Sequence, residues 1–275
     1  MKIGNKEFEI KNHTYIMGIL NVTPDSFSDG GRYNRLDKAL FRVEEMNREG
    51  MDILDIGGES TRPGYEPLSD EEEINRVLPV IEAVKSRFDV PVSLDTCKSR
   101  VASAGIASGC DLINDIWGLK YDAGMAKVIA QAGLPCCLMH NRKENGYQNF
   151  MEQVLLELSE TLELAKQAQI PEEGIILDPG VGFGKSYENN LEIINRLEEL
   201  KRLGYPLLLG ASRKSVIGLT LELPAAERLE GTLVTTVFAV LKGCSFVRVH
   251  DIAANARAVK MAEAILAEGA CKTGM

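Results

Sequence analysis

The sequence predicts an α/β protein of one domain, in which eight parallel strands alternate with helices and close into a (β/α)8 TIM barrel. The main observation is a unit that recurs five times, an amphipathic stretch that ends at glycine and is followed by a short apolar run. Glycine closes a helix in the left-handed conformation, and the run after it is typical of a strand buried on both faces. Three further apolar runs bring the strands to eight, and eight such units suit a closed barrel.

The strands are predicted in chain order from these runs. Residues 1–12 precede the first strand and are expected to form a short N-terminal hairpin under the barrel floor. The recurring units lie at Glu49–Ile56, Ser108–Ile116, Ala132–His140, Leu203–Ala211 and Lys242–Asp251, and the other apolar runs lie at 14–22, 90–96 and 174–180.

Helical patterns separate the strands. Apolar residues share one face in the first two helices, namely Leu36, Leu40, Val43 and Met46, then Ile74, Val77, Ile81 and Val84. A candidate capping box from Ser69 to Glu72 precedes the second helix. The other helices are predicted at about 98–108, 122–132, 148–168, 188–203, 224–242 and 254–267. A doubly wound open sheet is the alternative arrangement of these elements.

Composition limits the function. The net charge of −9 argues against general nucleic-acid binding, which depends on clustered Lys and Arg. No run of about eighteen apolar residues occurs and the N-terminus lacks an apolar segment, so neither a membrane span nor a secretory signal is expected. A cytoplasmic protein is the expectation, and the six cysteines are most simply free thiols.

Every predicted strand finishes in a polar group. The carboxyl ends of barrel strands meet at one face, where barrel enzymes place their sites. Taken singly, Asp or Asn after a strand can instead cap a helix or start a turn. Arg, Lys and His cannot accept those amide hydrogen bonds, so the set favours a site. The polar ends are Asn21, Asp55, Asp95, Asn114, His140, Asp178, Ser212 with Arg213 and Lys214, and Arg248 with His250.

Two long loops and a group of cations are expected on this face. The connections at 21–35 and 57–69 exceed the usual length of a βα loop and are predicted to be mobile lids, with tolerated insertions as the alternative. Basic groups follow the last two strands, where barrels frequently bind phosphate. They predict an anion site, and the alternative is internal ion pairs with Asp95 and Asp178. These groups are Arg213, Lys214, Arg248 and His250.

Two apparent motifs fail inspection. The segment GVGFGKS at 180–186 has Pro at 179, where a Walker A loop needs glycine, and it lacks the GxGxxG spacing. The histidines show no zinc-ligand spacing, and Cys136 and Cys137 are better explained as strand core. Neither a nucleotide site nor a zinc site is predicted.

Seven segments, in this order, strongly resemble the dihydropteroate synthase family. They are GILNVTPDSFSDGG at 18–31, DIGGESTRPG at 55–64, SLDT at 93–96, INDI at 113–116, DPGVGFGK at 178–185, SRKS at 212–215 and RVHDI at 248–252. The resemblance implies a transferase of folate biosynthesis that uses a (β/α)8 barrel and Mg²⁺. It would join 6-hydroxymethyl-7,8-dihydropterin diphosphate to p-aminobenzoate, giving 7,8-dihydropteroate and pyrophosphate, and sulfonamides should compete with p-aminobenzoate.

The resemblance implies three adjoining sites, carried over residue by residue. The pterin would contact Asp95, Asn114, Ile116, Met139, Asp178, Phe183, Lys214 and Arg248. The diphosphate would contact Asn21, Arg62, Arg248 and His250, and Asn21 would also bind Mg²⁺. The p-aminobenzoate pocket would comprise Phe27, Thr61, Arg62, Pro63, Phe183, Lys214 and Ser215. The catalytic residues would be Asp95, Lys214, Arg248 and His250.

The resemblance leaves some points open. The family often has Met-His-Met and then Gly after the fifth strand, whereas here Met139-His140 continues into Asn141, so the role of the 140–147 loop is undetermined. Small-molecule substrates and a homodimer are expected. The alternatives are a methyltetrahydrofolate:corrinoid methyltransferase, which needs no diphosphate site, and a non-catalytic pterin-binding regulator.

Overall fold

The structure is a computed structural model that describes residues 1–23, 32–59 and 68–272, without the side chains of 32–35 and 269–272. A short antiparallel hairpin of β1 (Lys2–Ile3) and β2 (Lys6–Glu7) comes first, which confirms the prediction for residues 1–12. The parallel strands follow as β3 (Tyr15–Asn21), β4 (Ile53–Gly57), β5 (Val92–Asp95), β6 (Leu112–Asp115), β7 (Cys136–Met139), β8 (Ile175–Asp178), β9 (Leu208–Leu209) and β10 (Phe246–Val249).

The parallel strands form the predicted barrel. Their order in the sheet is β8-β7-β6-β5-β4-β3-β10-β9, and each strand is hydrogen-bonded to the next. A parallel bridge between Leu177 and Leu207 joins the two ends of this order. The (β/α)8 TIM barrel is therefore confirmed, and the open-sheet alternative is wrong.

Helices cover the barrel. They are α1 (Arg32–Arg48), α2 (Asp70–Arg87), α3 (Ser99–Ala107), α4 (Met125–Ala132), α5 (Phe150–Gln167), α6 (Tyr187–Asn195), α7 (Ser215–Leu221), α8 (Leu229–Leu241) and α9 (Ile252–Lys272). The capping box of α2 is confirmed, because Ser69 Oγ accepts from the N–H of Glu72 while Glu72 Oε2 accepts from the N–H of Ser69. None of the described helices is long and apolar enough to cross a membrane.

Two helical features differ from the prediction. The helix predicted over 188–203 ends at Asn195 and continues as a 3-10 helix over Leu197–Leu203. The short helix α7 was not predicted, because its sequence SVIGLTL contains glycine and β-branched residues of low helix propensity. Burial of Val216 and Ile217 stabilises it instead.

The barrel interior changes character along the strands. Alternate residues of a strand face the same side, so the inward positions near the amino ends form one layer. This apolar layer packs with Ile3 and Phe8 of the hairpin, and its members are Met17, Ile53, Leu112, Cys137, Ile176, Leu208 and Phe246. Cys136 and Cys137 are both fully buried in β7, which agrees with the prediction that they belong to the strand core. Further along, the inward positions become polar and begin the functional site.

Candidate active site

An ion-pair network at the carboxyl ends of β4, β5 and β10 forms the centre of the rim. Arg248 donates from Nε to Asp55 Oδ2 and from Nη2 to Asp95 Oδ2, each at 2.6 Å. The side chain of Asp55 is 0% exposed and that of Arg248 is 19% exposed, so both are largely removed from water. Two charge-assisted hydrogen bonds fix the orientation of the guanidinium group.

Two neutral side chains support Asp55. Ser93 Oγ donates to Asp55 Oδ1 at 2.5 Å, and Asn114 Nδ2 lies 3.3 Å from Asp55 Oδ2. Burial alone would lower the pKa of Arg248, but the carboxylates of Asp55 and Asp95 outweigh this effect and the pKa is raised. Arg248 is therefore a permanent cation at the centre of the rim.

The ionisation of Asp95 depends strongly on its surroundings. Burial raises the pKa of Asp95 to about 7, Arg248 opposes the rise, and the carboxylate of Asp55 adds to it. A positive charge brought close to such a group favours its ionised form. Asp95 is thus suited to stabilise a cation that develops beside it.

Asp178 and Lys214 lie beside Arg248. A Cβ atom built on Gly210 would be 3.5 Å from Asp178 Oδ2 and 3.9 Å from Lys214 Nζ. The same point lies 3.8 Å from Arg248 Cβ. Burial lowers the pKa of Lys214 to about 8, against the opposing effect of Asp178. Glycine at 210 therefore leaves open a space bordered by the charged ends of Asp178 and Lys214 and by the Cβ atom of Arg248.

Backbone contacts orient these two side chains. Asp178 Oδ1 accepts from the N–H of Gly180 at 2.7 Å, and Lys214 Nζ donates to the carbonyl of Val181 at 2.5 Å. Burial raises the pKa of Asp178, while Lys214 and the Gly180 hydrogen bond oppose the rise. Among the residues that the structure describes, no hydrogen bond occupies Asp178 Oδ2, the atom near Gly210, so this atom can accept one from a ligand.

Asn21 joins the rim next to Asp95. A Cβ atom built on Gly57 would lie 3.7 Å from Asn21 Oδ1 and 3.8 Å from Asp95 Oδ2. Asn21 ends β3 and Asp95 ends β5, so β4 with its glycine lies between them. The structure thus brings Asn21 to the same rim as the ion-pair network.

Apolar side chains border the polar groups. Lys214 Nζ lies 4.6 Å from the centre of the Phe183 ring, a cation–π contact. Met139 ends β7 and is paired in register with Asp178. Ile116, just beyond β6, is half-buried, and its carbonyl accepts from Asn141 Nδ2 at 3.0 Å. Phe183 thus contacts a polar group of the rim, and Met139 and Ile116 lie at the ends of the neighbouring strands β7 and β6.

The cations after β9 and β10 have different partners. His250 Nδ1 lies 2.9 Å from Ser212 Oγ. Arg213 binds both carboxylate oxygens of Asp251, at 2.6 and 3.0 Å. The ion-pair alternative is therefore correct for Arg248, which binds Asp95, whereas Arg213 is engaged with a carboxylate that was not considered.

Several predicted residues remain without a described contact in the site. Ser215 is the exposed first residue of α7, directly after Lys214. Phe27, Thr61, Arg62 and Pro63, together with most of the two predicted lids, lie outside the described residues. Within the described ranges, no group of three or more His, Cys, Asp or Glu side chains could hold a metal ion.

Asp55 and Ser93 have functions in the site that the sequence did not reveal. The sequence patterns identify Asp55 only as a polar strand end and Ser93 only as part of SLDT. Ser93 lies two residues before Asp95, and Asp55 lies two residues after the inward Ile53. The two-residue period of a strand places both of them inside the barrel, and this signal could have identified them.

The chain is similar to known proteins over nearly its whole length. It matches the family described as "Pterin binding enzyme" over residues 17–250. It is 60% identical to the dihydropteroate synthase of Clostridium beijerinckii, covering 97% of this chain and 99% of the relative. The dihydropteroate synthase of Bacillus subtilis is 50% identical, covering 96% and 93%.

Solved structures agree with this. The crystal structure of dihydropteroate synthase from Clostridium difficile in the presence of pteroic acid superposes with a TM-score of 0.92 at 48% identity, covering 94% of this chain and 99% of that one. The Yersinia pestis dihydropteroate synthase with a sulfonamide drug gives a TM-score of 0.90 at 38% identity, covering 98% and 99%. The chain belongs to the family of pterin-binding enzymes and, within it, to the dihydropteroate synthases.

Proposed function

We propose that this rim binds 6-hydroxymethyl-7,8-dihydropterin diphosphate and transfers its pterin-methyl group to p-aminobenzoate. The observation that carries the proposal is the space beside Gly210, which is bordered by the carboxylate of Asp178, the ammonium group of Lys214 and the Cβ atom of Arg248. A heterocycle with N–H donors and a departing anion requires both signs of charge in one cavity. A methyltetrahydrofolate:corrinoid methyltransferase needs no anion site, so this arrangement favours the synthase.

The pterin is recognised by its hydrogen-bonding edge. Asp178 accepts from the exocyclic amine and a ring N–H, while Lys214 donates to ring acceptors. The Nδ2 group of Asn114 is directed to Asp55, which leaves its amide oxygen for the ring. Because two carboxylates hold the edges of Arg248, the face of its guanidinium group is available to stack on the heterocycle.

The bond that breaks joins the pterin methylene carbon to the diphosphate oxygen. Its electron pair leaves with pyrophosphate, and the methylene carbon becomes cationic. Asp95, held ionised by that charge, stabilises the cation. The aniline nitrogen of p-aminobenzoate then supplies the electron pair of the new C–N bond and loses one proton.

The leaving pyrophosphate lies on the cationic side of the rim. Among the described residues Arg248 uses two of its five N–H groups, for Asp55 and Asp95, and the other three can bind an anion. His250 and Arg62 complete the diphosphate site in this proposal. Charge that develops on the leaving oxygens is stabilised by these groups, which act most strongly as the C–O bond breaks.

The rim fits a Mg²⁺ ion that is carried largely by the substrate. Mg²⁺ prefers oxygen ligands and is commonly held by few protein groups together with substrate phosphates. Asn21 Oδ1, close to Asp95 Oδ2 across Gly57, is the oxygen we assign to it. When bound there, the ion would supply further charge neutralisation on the departing diphosphate.

The p-aminobenzoate pocket adjoins the pterin site on the side of Phe183 and Lys214. Phe183 supplies an apolar wall, and Ser215, exposed beside Lys214, supplies a hydroxyl group for the carboxylate. Phe27, Thr61, Arg62 and Pro63 complete this pocket in the proposal. We expect the pterin diphosphate to bind first and sulfonamides to compete with p-aminobenzoate.

We also propose a cytoplasmic homodimer. An apolar groove of about 350 Å³ is lined by α6, α7 and α8, among them Leu221, Val234 and Phe238. Leu219 beside it is 64% exposed and Val234 is 58% exposed. Exposed apolar area of this kind suits a self-complementary interface with a second copy. Val234→Asp should yield monomers in sedimentation experiments, whereas Phe41→Asp on α1 should not, and an unaltered dimer for Val234→Asp would contradict this interface.

One assay tests the proposed reaction. The purified chain is incubated with the pterin diphosphate, p-aminobenzoate and Mg²⁺, and both pyrophosphate and dihydropteroate are measured. Equal amounts of the two products are expected, with sulfonamide inhibition overcome by p-aminobenzoate. Pterin binding without pyrophosphate release would instead support the non-catalytic regulator.

A further inference from the structure

The segment Gly180–Lys185 joins β8 to α6 and carries Phe183 to the rim. Its backbone lies close to neighbouring groups at three glycines, Gly180, Gly182 and Gly184, of which Gly184 has φ 54° and faces the carbonyl of Arg142. Gly180 has φ 71°, and a Cβ atom there would overlap the carbonyl oxygen of His140. Gly182 has φ 84°, and a Cβ atom there would lie 3.2 Å from Lys214 Cδ. The backbone of the segment therefore packs closely against its neighbours. Glycine is conformationally permissive, however, so the glycine residues alone do not fix this conformation.

Lys185 supplies the missing constraint. Its ammonium group donates to the carbonyls of Gly180 and Phe183, each at 3.0 Å, and lies 2.8 Å from His140 Nδ1. These described partners are neutral, and the ammonium group closes the segment by bonding to both of its ends. Burial lowers the pKa of Lys185 to about 7, although Asp178 opposes this. A cation placed in so costly an environment is held there by several hydrogen bonds.

Lys214 bonds to the same segment from the opposite side. It donates to the carbonyl of Val181, between the two carbonyls that Lys185 binds. Two lysines therefore share the carbonyls of one loop. Phe183 is held by Lys185 through its backbone and faces Lys214 through its ring.

His140 connects Lys185 to the outer helix α5. Burial lowers the pKa of His140 to about 2, so the ring is neutral. Because Nδ1 faces the ammonium group and accepts from it, the ring proton belongs on Nε2, which donates to Glu157 Oε2 at 2.9 Å. The chain Glu157, His140 and Lys185 thus fixes the ammonium group relative to the barrel. This also gives a function to the start of the 140–147 loop.

We propose that Lys185 is a positioning residue that holds the Gly180–Lys185 segment, and through it Phe183, in the conformation that receives p-aminobenzoate. This rests on the proposed function, in which Phe183 borders both substrates. Asn114 and Asp178 lie on the strands β6 and β8, and Asp178 contacts the segment only at its first residue, through the N–H of Gly180, whereas Phe183 lies three residues further along it. Loss of Lys185 should therefore affect p-aminobenzoate more than the pterin.

Steady-state kinetics of Lys185→Met test this. We expect the KM for p-aminobenzoate to rise about ten- to a hundred-fold, as misplacement of a contact group by about 1 Å can produce. The affinity for the pterin diphosphate, measured separately by calorimetry, should change much less. Lys120→Met is the matched control, because Lys120 also contacts Glu157, through its carbonyl at 2.8 Å, but lies outside the site. An unchanged KM, or a loss confined to kcat and proportional to the folded fraction, would overturn the proposal.

A double-mutant cycle tests whether Lys185 affects p-aminobenzoate binding through Phe183. In the Phe183→Ala background, Lys185→Met should raise the KM little further, since residues that act as one unit are not additive. Additive effects would contradict this route. If Lys185→Met does not fold, Lys185→Gln is measured in the same way and must raise the same KM. Absence of turnover in the unmodified chain refutes the proposed function, whereas turnover with an unchanged KM in the variants refutes only the positioning.

Discussion

The two ends of the barrel interior differ although they are built from the same strands. On four strands the inward residue changes from apolar to polar within two positions, namely Ile53 to Asp55, Leu112 to Asn114, Ile176 to Asp178 and Phe246 to Arg248. The amino-end layer is apolar and packs against the hairpin. The carboxyl-end layer buries charges, which is energetically unfavourable unless they are paired. Within the barrel interior, the floor is therefore apolar packing and the rim carries the groups suited to chemistry.

Arg248→Met should have the largest effect on activity. It leaves the fully buried Asp55 and the neighbouring Asp95 without their cation. We expect kcat to fall by about a hundred- to a thousand-fold, the usual cost of removing a group that stabilises the transition state. Arg213→Met is the control, because Arg213 is bound to Asp251 away from the network. Similar kcat values for the two variants would contradict the claim that Arg248 acts in catalysis and Arg213 does not.

Phe246→Ala should affect stability instead. The Phe246 side chain is 0% exposed in the apolar layer. Its truncation should lower the free energy of unfolding by about 3 to 5 kcal/mol, measured by urea denaturation. The KM values of the folded fraction should stay unchanged. Phe41→Ala on α1, where Phe41 is 59% exposed, should be nearly neutral, and equal losses would contradict a stabilising contribution of the buried floor layer.

Asp178→Asn should weaken pterin binding with a smaller effect on stability. The amide keeps an acceptor for Gly180 but loses the charge that strengthens hydrogen bonds to the pterin donors. Pterin diphosphate affinity should fall about ten- to a hundred-fold by calorimetry, since a hydrogen bond to a charged group contributes about 1.5 to 3 kcal/mol. Asp89→Asn at the exposed surface is the control. Unaltered pterin affinity would count against the assignment of Asp178.

Activity and stability should change in opposite directions with pH, and both changes should be smaller than the effects of the substitutions above. Since burial raises the pKa of Asp95 from 3.8 to about 7, the ionised form needed for chemistry increases as pH rises through 7. The folded state binds this proton more tightly than the unfolded state, so Asp95 lowers stability as pH rises from about 4 to 7. We expect kcat/KM of the unmodified chain to rise towards pH 8. We also expect its free energy of unfolding, compared with that of the Asp95→Asn variant, to fall as the pH rises from about 4 to 7. A flat rate profile between pH 6 and pH 8 would contradict the ionisation of Asp95.

The sequence was sufficient to predict the barrel and the convergence of its polar strand ends. Both depend on local patterns, glycine after helices and alternation along strands. It did not predict that Arg248 is bound by Asp55, because that pairing depends on which strands lie beside each other across the closed sheet. The helix α7 was missed since packing, not propensity, stabilises it.

Lys185 illustrates the same limit. Its motif was rejected as a nucleotide loop, and nothing in the spacing indicates that its ammonium group turns back onto Gly180 and Phe183. The contact depends on three-dimensional closure of the loop against His140. Residues 24–31 and 60–67 lie outside the described ranges, so the predicted functions of the long loops remain predictions.

A crystal structure with bound pteroic acid tests the central claim most directly. The claim predicts the pterin ring within hydrogen-bonding distance of Asp178 and Asn114, stacked on the guanidinium face of Arg248, with the benzoate portion beside Phe183. A pterin ring bound away from these side chains, or a rim in which they turn from the ligand, would contradict it.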